Sequence, residues 1–284
     1  MSIKLKILTA LVITLASLPT IANTQNRQST VISSQNLSWG YLNPLRGDKS
    51  PGATDLWGDR TKNVATGMLV KFNKGFTSPP HIHNITYRGI VIEGLMHNDD
   101  PTAEHMWLPS TSYWTQPAGE NHVTAANSES NLIYLEIDSG PYLVKPSDHK
   151  FDNGERPINV HASNLVWLNQ SESSTIIGDE AEIAYLWQNG ASEELENRLQ
   201  GYLIKVSQGA VGKIISDSKE FRAVIIQGKV DYSSTETPES ITLPASSYYS
   251  SNGTFTHNIA AHEESIIYIR SNDKVKVYFS SGSN

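Results

Sequence analysis

Four stretches of this chain occur twice in the same order, and that repetition limits the fold more than any local propensity does. Gly67-Met-Leu-Val-Lys-Phe-Asn-Lys-Gly75 lies over Gly201-Tyr-Leu-Ile-Lys-Val-Ser-Gln-Gly209 at an offset of 134, and Tyr87-Arg-Gly-Ile-Val-Ile-Glu-Gly94 lies over Phe221-Arg-Ala-Val-Ile-Ile-Gln-Gly228 at the same offset. Leu108-Pro-Ser-Thr-Ser-Tyr-Trp114 matches Leu243-Pro-Ala-Ser-Ser-Tyr-Tyr249 one residue later in register, and His122 then falls on His257. Near the start, Asn36-Leu-Ser-Trp39 matches Asn164-Leu-Val-Trp167 at the shorter offset of 128. Ordered matches at a near-constant offset imply two copies of one structural unit. The boundary is expected between about Gly140 and Ser163, where Pro141, Pro146 and Pro157 discourage regular pairing.

Each copy reads as β. Gly, Pro, Asn, Ser and Asp interrupt the chain every eight to twelve residues, with β-branched and aromatic runs between, such as Gly67–Phe72, Asn131–Ile137, Ala223–Gln227 and Ser265–Arg270. That spacing is the pattern of an all-β sandwich or barrel. The one helical candidate is Ala191–Leu199, with Ser192 as its cap and acids in its first turn.

The first twenty-two residues are different. Lys4 and Lys6 precede an uncharged run from Ile7 to Leu18, followed by small residues up to Ala22. This is the pattern of a secretory signal peptide, too short in its apolar part to span a bilayer comfortably. A periplasmic or secreted location is therefore expected for residues beyond 22, with no membrane attachment after cleavage. Without Lys4 and Lys6 there are 20 basic against 29 acidic residues, a net charge near −9. An acidic balance without basic clusters argues against nucleic acid as a partner. Cysteine is absent, which excludes disulfides, thiolate metal ligands and cysteine nucleophiles.

The chemistry concentrates in copy one. His81 and His83 sit at i and i+2 after Pro79-Pro80, and on a strand such residues project from one face with backbones roughly 6–7 Å apart. Both imidazoles then reach one ion with bonds of about 2.0–2.1 Å. His122, after the Pro117-Ala-Gly119 turn, is placed to supply a third. At the offset of 134, copy two holds Ile215 and Asp217 where copy one has the pair, so the fold does not require these histidines.

These spacings resemble the cupin superfamily. Its first motif is met by Gly75, His81, His83 and Gly94, with Tyr87 where glutamate is usual; its second is met by Pro117, Gly119 and His122, with Ala126 where asparagine is usual. The fuller wording from Pro79 to Gly89 and from Phe151 to Asn159 resembles a bacterial cupin family of unassigned function. The resemblance covers both repeats and implies a bicupin: two tandem double-stranded β-helix (jelly-roll) barrels, an N-terminal one over 30–150 with the metal site and a C-terminal one over 160–284 without a full site. It also implies a divalent transition metal (Fe, Mn, Ni, Cu or Zn) on His81, His83 and His122.

With Tyr87 replacing the carboxylate, a divalent ion on three neutral imidazoles keeps its full charge and favours an anionic or enolisable small molecule. Tyr87 is expected to donate a hydrogen bond to that ligand, and Glu120, one turn residue from His122, to serve as base. Glu93 reads as a turn residue, Arg88 and its counterpart Arg222 as structural, and His97 and His105 as flanks of a solvated acidic turn at Asn98–Pro101. Trp107, Tyr113 and Trp114 line or fill the barrel. The functions that fit are dioxygenase-like oxidoreduction, metal-dependent isomerisation or hydrolysis, and non-catalytic ligand binding or sensing. The copies can pack within one chain or across a homodimer.

Overall fold

The structure is a computed structural model that describes residues 28–189, 198–272 and 275–282. The expected leader lies outside the described residues, as does most of the helical candidate Ala191–Leu199. Its regular structure is almost wholly β, arranged as two cupin barrels.

In the N-terminal barrel one wall is a seven-stranded sheet whose centre is Tyr87–Glu93, Ser130–Ile137 and Thr66–Asn73. Two short ribbons face it, His81–His83 with Val144–Pro146 and Met96–Asp99 with Val123–Ala126. The C-terminal barrel pairs two six-stranded sheets, one centred on Phe221–Gln227 and Ser265–Ser271, the other on Ala210–Ser216 and Phe255–Ala261.

The two central sheets pack back to back, so their strands are covered on both faces. Tyr87 and Val91 fill the N-terminal barrel, while Ile90 and Ile92 turn to the other barrel. Phe221, Ala223 and Ile225 against Val224 and Ile226 repeat this in copy two. Burial on both faces is why these strands are nearly continuous apolar runs rather than alternating ones. Seven buried side chains from each half, including Leu69, Tyr134, Leu203 and Tyr268, make the inter-barrel core. The two copies therefore pack within the chain.

The repeated glycines at 67 and 201 have a steric cause. A Cβ on Gly67 would collide with the Trp57 indole nitrogen and the Tyr134 hydroxyl, and one on Gly201 with those of Trp187 and Tyr268. In each copy the indole donates to the tyrosine hydroxyl, at 3.1 Å and 3.0 Å.

The barrels also exchange a strand. Ser29–Ile32 joins the C-terminal sheet beside Tyr248–Ser251, and Ile158–Val160 joins the N-terminal sheet beside Tyr113–Gln116. Each of these strands lies just ahead of the Asn36 or Asn164 match, so the odd offset of 128 marks the swapped element. Chain segments 30–150 and 160–284 are thus not identical with the two sheets. The connection between them is also more regular than its prolines suggested. Val144–Pro146 pairs with His81–His83, a position at which Pro146 is tolerated because the ribbon has only two strands and one edge is unpaired.

Arg88 and Arg222 anchor the packing of the barrels, as expected of a residue kept in both copies. Arg88 donates to Asp138 (2.9 Å) and lies over the Trp187 ring; Arg222 pairs with Glu220 (3.0 Å) and lies over Trp57. Between them Arg270 bridges Asp138 (2.6 Å), Glu136 (3.4 Å) and Glu220 (3.0 Å).

Candidate metal centre

His81 and His122 are held together by the backbone. His81 N–H donates to His122 O (3.1 Å) and His122 N–H returns a bond to His81 O (3.0 Å), forming a small antiparallel bridge. Gly119, at a positive φ of 77°, donates its N–H to His83 O (2.9 Å), so the Pro117–Gly119 turn fixes the other end of the pair. The three side chains are buried, and their ligand atoms lie within 4.8 Å of one another. The ring centroids are 5.0, 4.2 and 5.2 Å apart.

Every Nδ1 faces a carbonyl: Pro79 O for His81 (2.9 Å), Leu143 O for His83 (3.2 Å) and Glu120 O for His122 (3.2 Å). A carbonyl only accepts, so each Nδ1 carries the proton and each Nε2 keeps a lone pair. Burial drives all three rings toward the neutral form. His122 is lowered to about 3, His83 well below its ordinary value by burial and then by its histidine neighbours, and His81 is lowered by burial. Three neutral imidazoles with converging Nε2 atoms and oriented Nδ1–H groups are the donor set of a transition metal.

A second contact supports that fit. Tyr87 donates its hydroxyl proton to Asn98 Oδ1 (2.9 Å), yet its oxygen lies 3.4 Å from His122 Nε2. Two acceptors therefore face each other without a proton between them, a contact that a cation relieves. The expected role of Tyr87 as donor toward a ligand changes accordingly, because Asn98 already takes the proton. Burial, opposed by its hydrogen-bond partners, raises this phenol well above its ordinary value, so it is neutral.

Glu120 contributes to the centre through its backbone carbonyl, which accepts from His122 Nδ1 and from Gln116 Nε2 (3.1 Å). Its side chain is only partly buried, and among the described residues no carboxylate joins the three histidines. Glu93 is exposed beside the Gly94 turn, as expected. Trp114 fills the barrel, Tyr113 packs against the other barrel, and Trp107 stands near His97 and His105.

Two participants were missed from the sequence. Asn98, taken for part of a solvated turn, is buried in Met96–Asp99 and hydrogen-bonded to Tyr87, Thr124 and Gln116. His97 beside it is likewise buried, its ring 4.5 Å from that of the exposed His105. At the offset of 134 the counterpart of Asn98 is Tyr232, whose hydroxyl lies 2.9 Å from His257 Nδ1, whereas Asn98 bonds to Tyr87 and not to a histidine. Tyr142, from the connection between the copies, stacks on His83 (4.5 Å) and places its hydroxyl 3.3 Å from Nε2. At the offset of 134 it falls on Lys276, so the repeat gave no aromatic signal.

The structure also corrects the alignment of the pair. His122 bridges His81, whereas His257 is opposite Ile214, and the buried inward positions in copy two are Ile214 and Ser216 rather than Ile215 and Asp217. Ile214 follows Gly209 by five residues where His81 follows Gly75 by six, and one extra residue before Phe221 restores the offset. Copy two still lacks the pair. His257 has both ring nitrogens occupied, by Tyr232 and by Ser251 Oγ (3.0 Å), and Phe221 stacks on it at 4.6 Å.

Comparison with solved structures gives the same architecture. A candidate dioxygenase from Nostoc punctiforme aligns over 91% of this chain and 88% of its own, with a TM-score of 0.65 and 15% identity. Oxalate decarboxylase of Bacillus subtilis, which has Mn(II) centres, aligns over 87% of this chain and 77% of its own (TM-score 0.56, 12% identity). The Escherichia coli protein Ylba aligns over 87% and 92% (TM-score 0.57, 16% identity). At such identities these likenesses establish the fold alone. No curated protein matches the chain. Residues 30–278 match the family described as a domain of unknown function, DUF4437, and the chain belongs to that family.

Proposed function

We propose that the protein is an exported metal-dependent oxidoreductase of dioxygenase type, acting on a small anionic or enolisable molecule in its N-terminal barrel. The observation that carries this is the convergence of three oriented, neutral imidazoles in a buried cup with no carboxylate among them. His81, His83 and His122 would hold a divalent first-row ion. Once bound, it supplies Lewis-acid polarisation and a centre for oxygen activation.

The chain's own residues do the rest. The Nδ1–H bonds to Pro79, Leu143 and Glu120 fix the rings in the binding orientation. Met68, Val70, Met96, Leu108 and Ile133 pack the barrel and exclude water. Since the ligand set is uncharged, the anionic charge that neutralises the centre comes from the substrate. The candidate dioxygenase from Nostoc punctiforme supports this reading as a structural neighbour, and the absence of a carboxylate at the histidines favours it over a hydrolase or isomerase using Glu120 as base.

Metal analysis of the protein purified from the periplasm or medium, beside His81→Ala, tests the site. The expected result is near-stoichiometric metal in the wild type and loss in the variant, with the β circular dichroism kept, because copy two folds with Ile214 there. Equal metal content in both would sink the site. Oxygen uptake across small hydroxy acids, keto acids and diketones tests the reaction; ligand-dependent thermal shifts without any uptake would replace the oxygenase with a binding protein.

A further inference from the structure

We infer that the site takes a chelating ligand with one oxyanion and one hydroxyl, the α-hydroxycarboxylate pattern, with Tyr142 donating to the oxyanion and Tyr87 accepting from the hydroxyl. This rests on the metal-site reading above and narrows its substrate class. The argument is one of proton direction. Glu120 O can only accept, so Gln116 turns its Nε2 to it (3.1 Å) and its Oε1 to Asn98. Asn98 therefore turns Nδ2 to Gln116 (2.9 Å) and Oδ1 to Tyr87 (2.9 Å) and Thr124 (2.8 Å). The Tyr87 proton is thus committed to Asn98, and toward the histidines this phenol presents only lone pairs.

Tyr142 is the opposite case. Its hydroxyl donates to His83 Nε2 (3.3 Å), and the carbonyls on its own segment are taken: Pro141 O accepts from Asn84 and Leu143 O from His83. When Nε2 is engaged by an ion, the Tyr142 hydroxyl keeps no other hydrogen bond among the described residues, and its proton is free for a ligand oxygen. The stack on His83 (4.5 Å) holds it on the ion's side. One wall of the cup then demands a donor and the other an acceptor. An α-hydroxycarboxylate offers both from adjacent carbons. An enolate or simple dicarboxylate offers no proton to Tyr87, which a buried acceptor penalises.

The test is calorimetric titration of the Zn-loaded chain, leader removed, with glycolate, methoxyacetate and acetylacetonate. Wild type should bind glycolate about tenfold more tightly than methoxyacetate. Tyr87→Phe, a substitution that copy two shows is accommodated at Phe221, should collapse that ratio to about twofold, which separates the hydroxyl pairing from methyl bulk. Tyr142→Phe should weaken both acids by about fivefold and leave the ratio intact. A ratio unchanged by Tyr87→Phe, or tighter binding of acetylacetonate than of glycolate, overturns the inference while leaving the metal site standing. Failure of the wild type to take up any of zinc, manganese, iron, nickel or copper overturns both.

Discussion

Arg270→Met should cost the protein about 3–5 kcal/mol, the range for breaking a buried ion pair by removing one partner. Arg270 is 3% exposed and serves three carboxylates, Glu136, Asp138 and Glu220. Methionine replaces the volume but leaves these acids to the remaining cations. Asp138 keeps Arg88 at 2.9 Å and Glu220 keeps Arg222 at 3.0 Å, whereas Glu136, 1% exposed, keeps only Arg88 at 3.6 Å. The hydroxyls of Tyr134 (3.0 Å) and Tyr268 (2.8 Å) still donate to Glu136, which holds the cost near the lower end. For a chain this long, roughly 2–4 °C per kcal/mol gives a fall in Tm of about 6–20 °C.

Glu136→Gln is the matched control. It keeps an acceptor for Tyr268 and leaves Arg270 with Asp138 and Glu220, so it should cost about 1–2 kcal/mol. Urea unfolding followed by circular dichroism measures both. Wild type should unfold in one transition, since seven buried residues from each half share the inter-barrel core. An Arg270→Met cost below about 1 kcal/mol, or one no larger than that of Glu136→Gln, would refute the view that this arginine holds the barrels together.

Other expectations concern pH and packing. Although burial raises Asp138 and Glu220, their arginine neighbours outweigh it and hold both carboxyls below their ordinary values. The folded pKa lies below the unfolded one, so this stabilisation is complete above about pH 5 and is lost as pH falls further, which urea midpoints between pH 7 and 3 will show. In metal-free protein, His81, His83, His122 and His257 are held neutral while the unfolded chain protonates near pH 6.5, so stability should already decline below about that pH; bound metal should flatten this limb. Gly201→Ala drives a Cβ into the Trp187 indole and should cost about 1–3 kcal/mol by overpacking, with a changed tryptophan emission; an unshifted midpoint would contradict the steric reading.

The duplicated fold and the three histidines were legible because their determinants are local. A glycine under an indole, a His-x-His on a strand and a Pro-x-Gly turn each leave a fixed spacing. The strand exchange left only an anomalous offset, 128 rather than 134, which registers a change of position without saying which sheet receives the strand. Ile215 was aligned with His81 because the one-residue deletion after Gly209 and the insertion before Phe221 cancel in sequence. Only backbone pairing opposite His257 reveals Ile214. Tyr142 was illegible because Val144–Pro146 and its equivalent Val275–Ser281 share no residue pattern, and position 142 falls on Lys276 at the offset of 134. Asn98 was hidden by its company: Asp99, Asp100 and Pro101 suggest a turn, but the strand ends at Asp99.

The second barrel shows what this cup becomes when no ion is required. Its histidine has Tyr232 on one nitrogen, Ser251 on the other and Phe221, Tyr249 and Phe255 around the ring, so both of its nitrogens are satisfied without a ligand, although the Tyr249 hydroxyl is left unpartnered. The first barrel has Asn98, Gln116 and Tyr87 at the positions of Tyr232, Ser251 and Phe221. Those substitutions free His122 Nε2 and aim the tyrosine's lone pair at it. A core histidine needs none of this, since Tyr232 and Ser251 supply a cheaper solution on the same backbone. The arrangement around His122 costs stability as a buried pair of facing acceptors. A cation at Nε2 would remove that cost, and the second copy, whose histidine makes no such contact, shows that the shared backbone does not impose it.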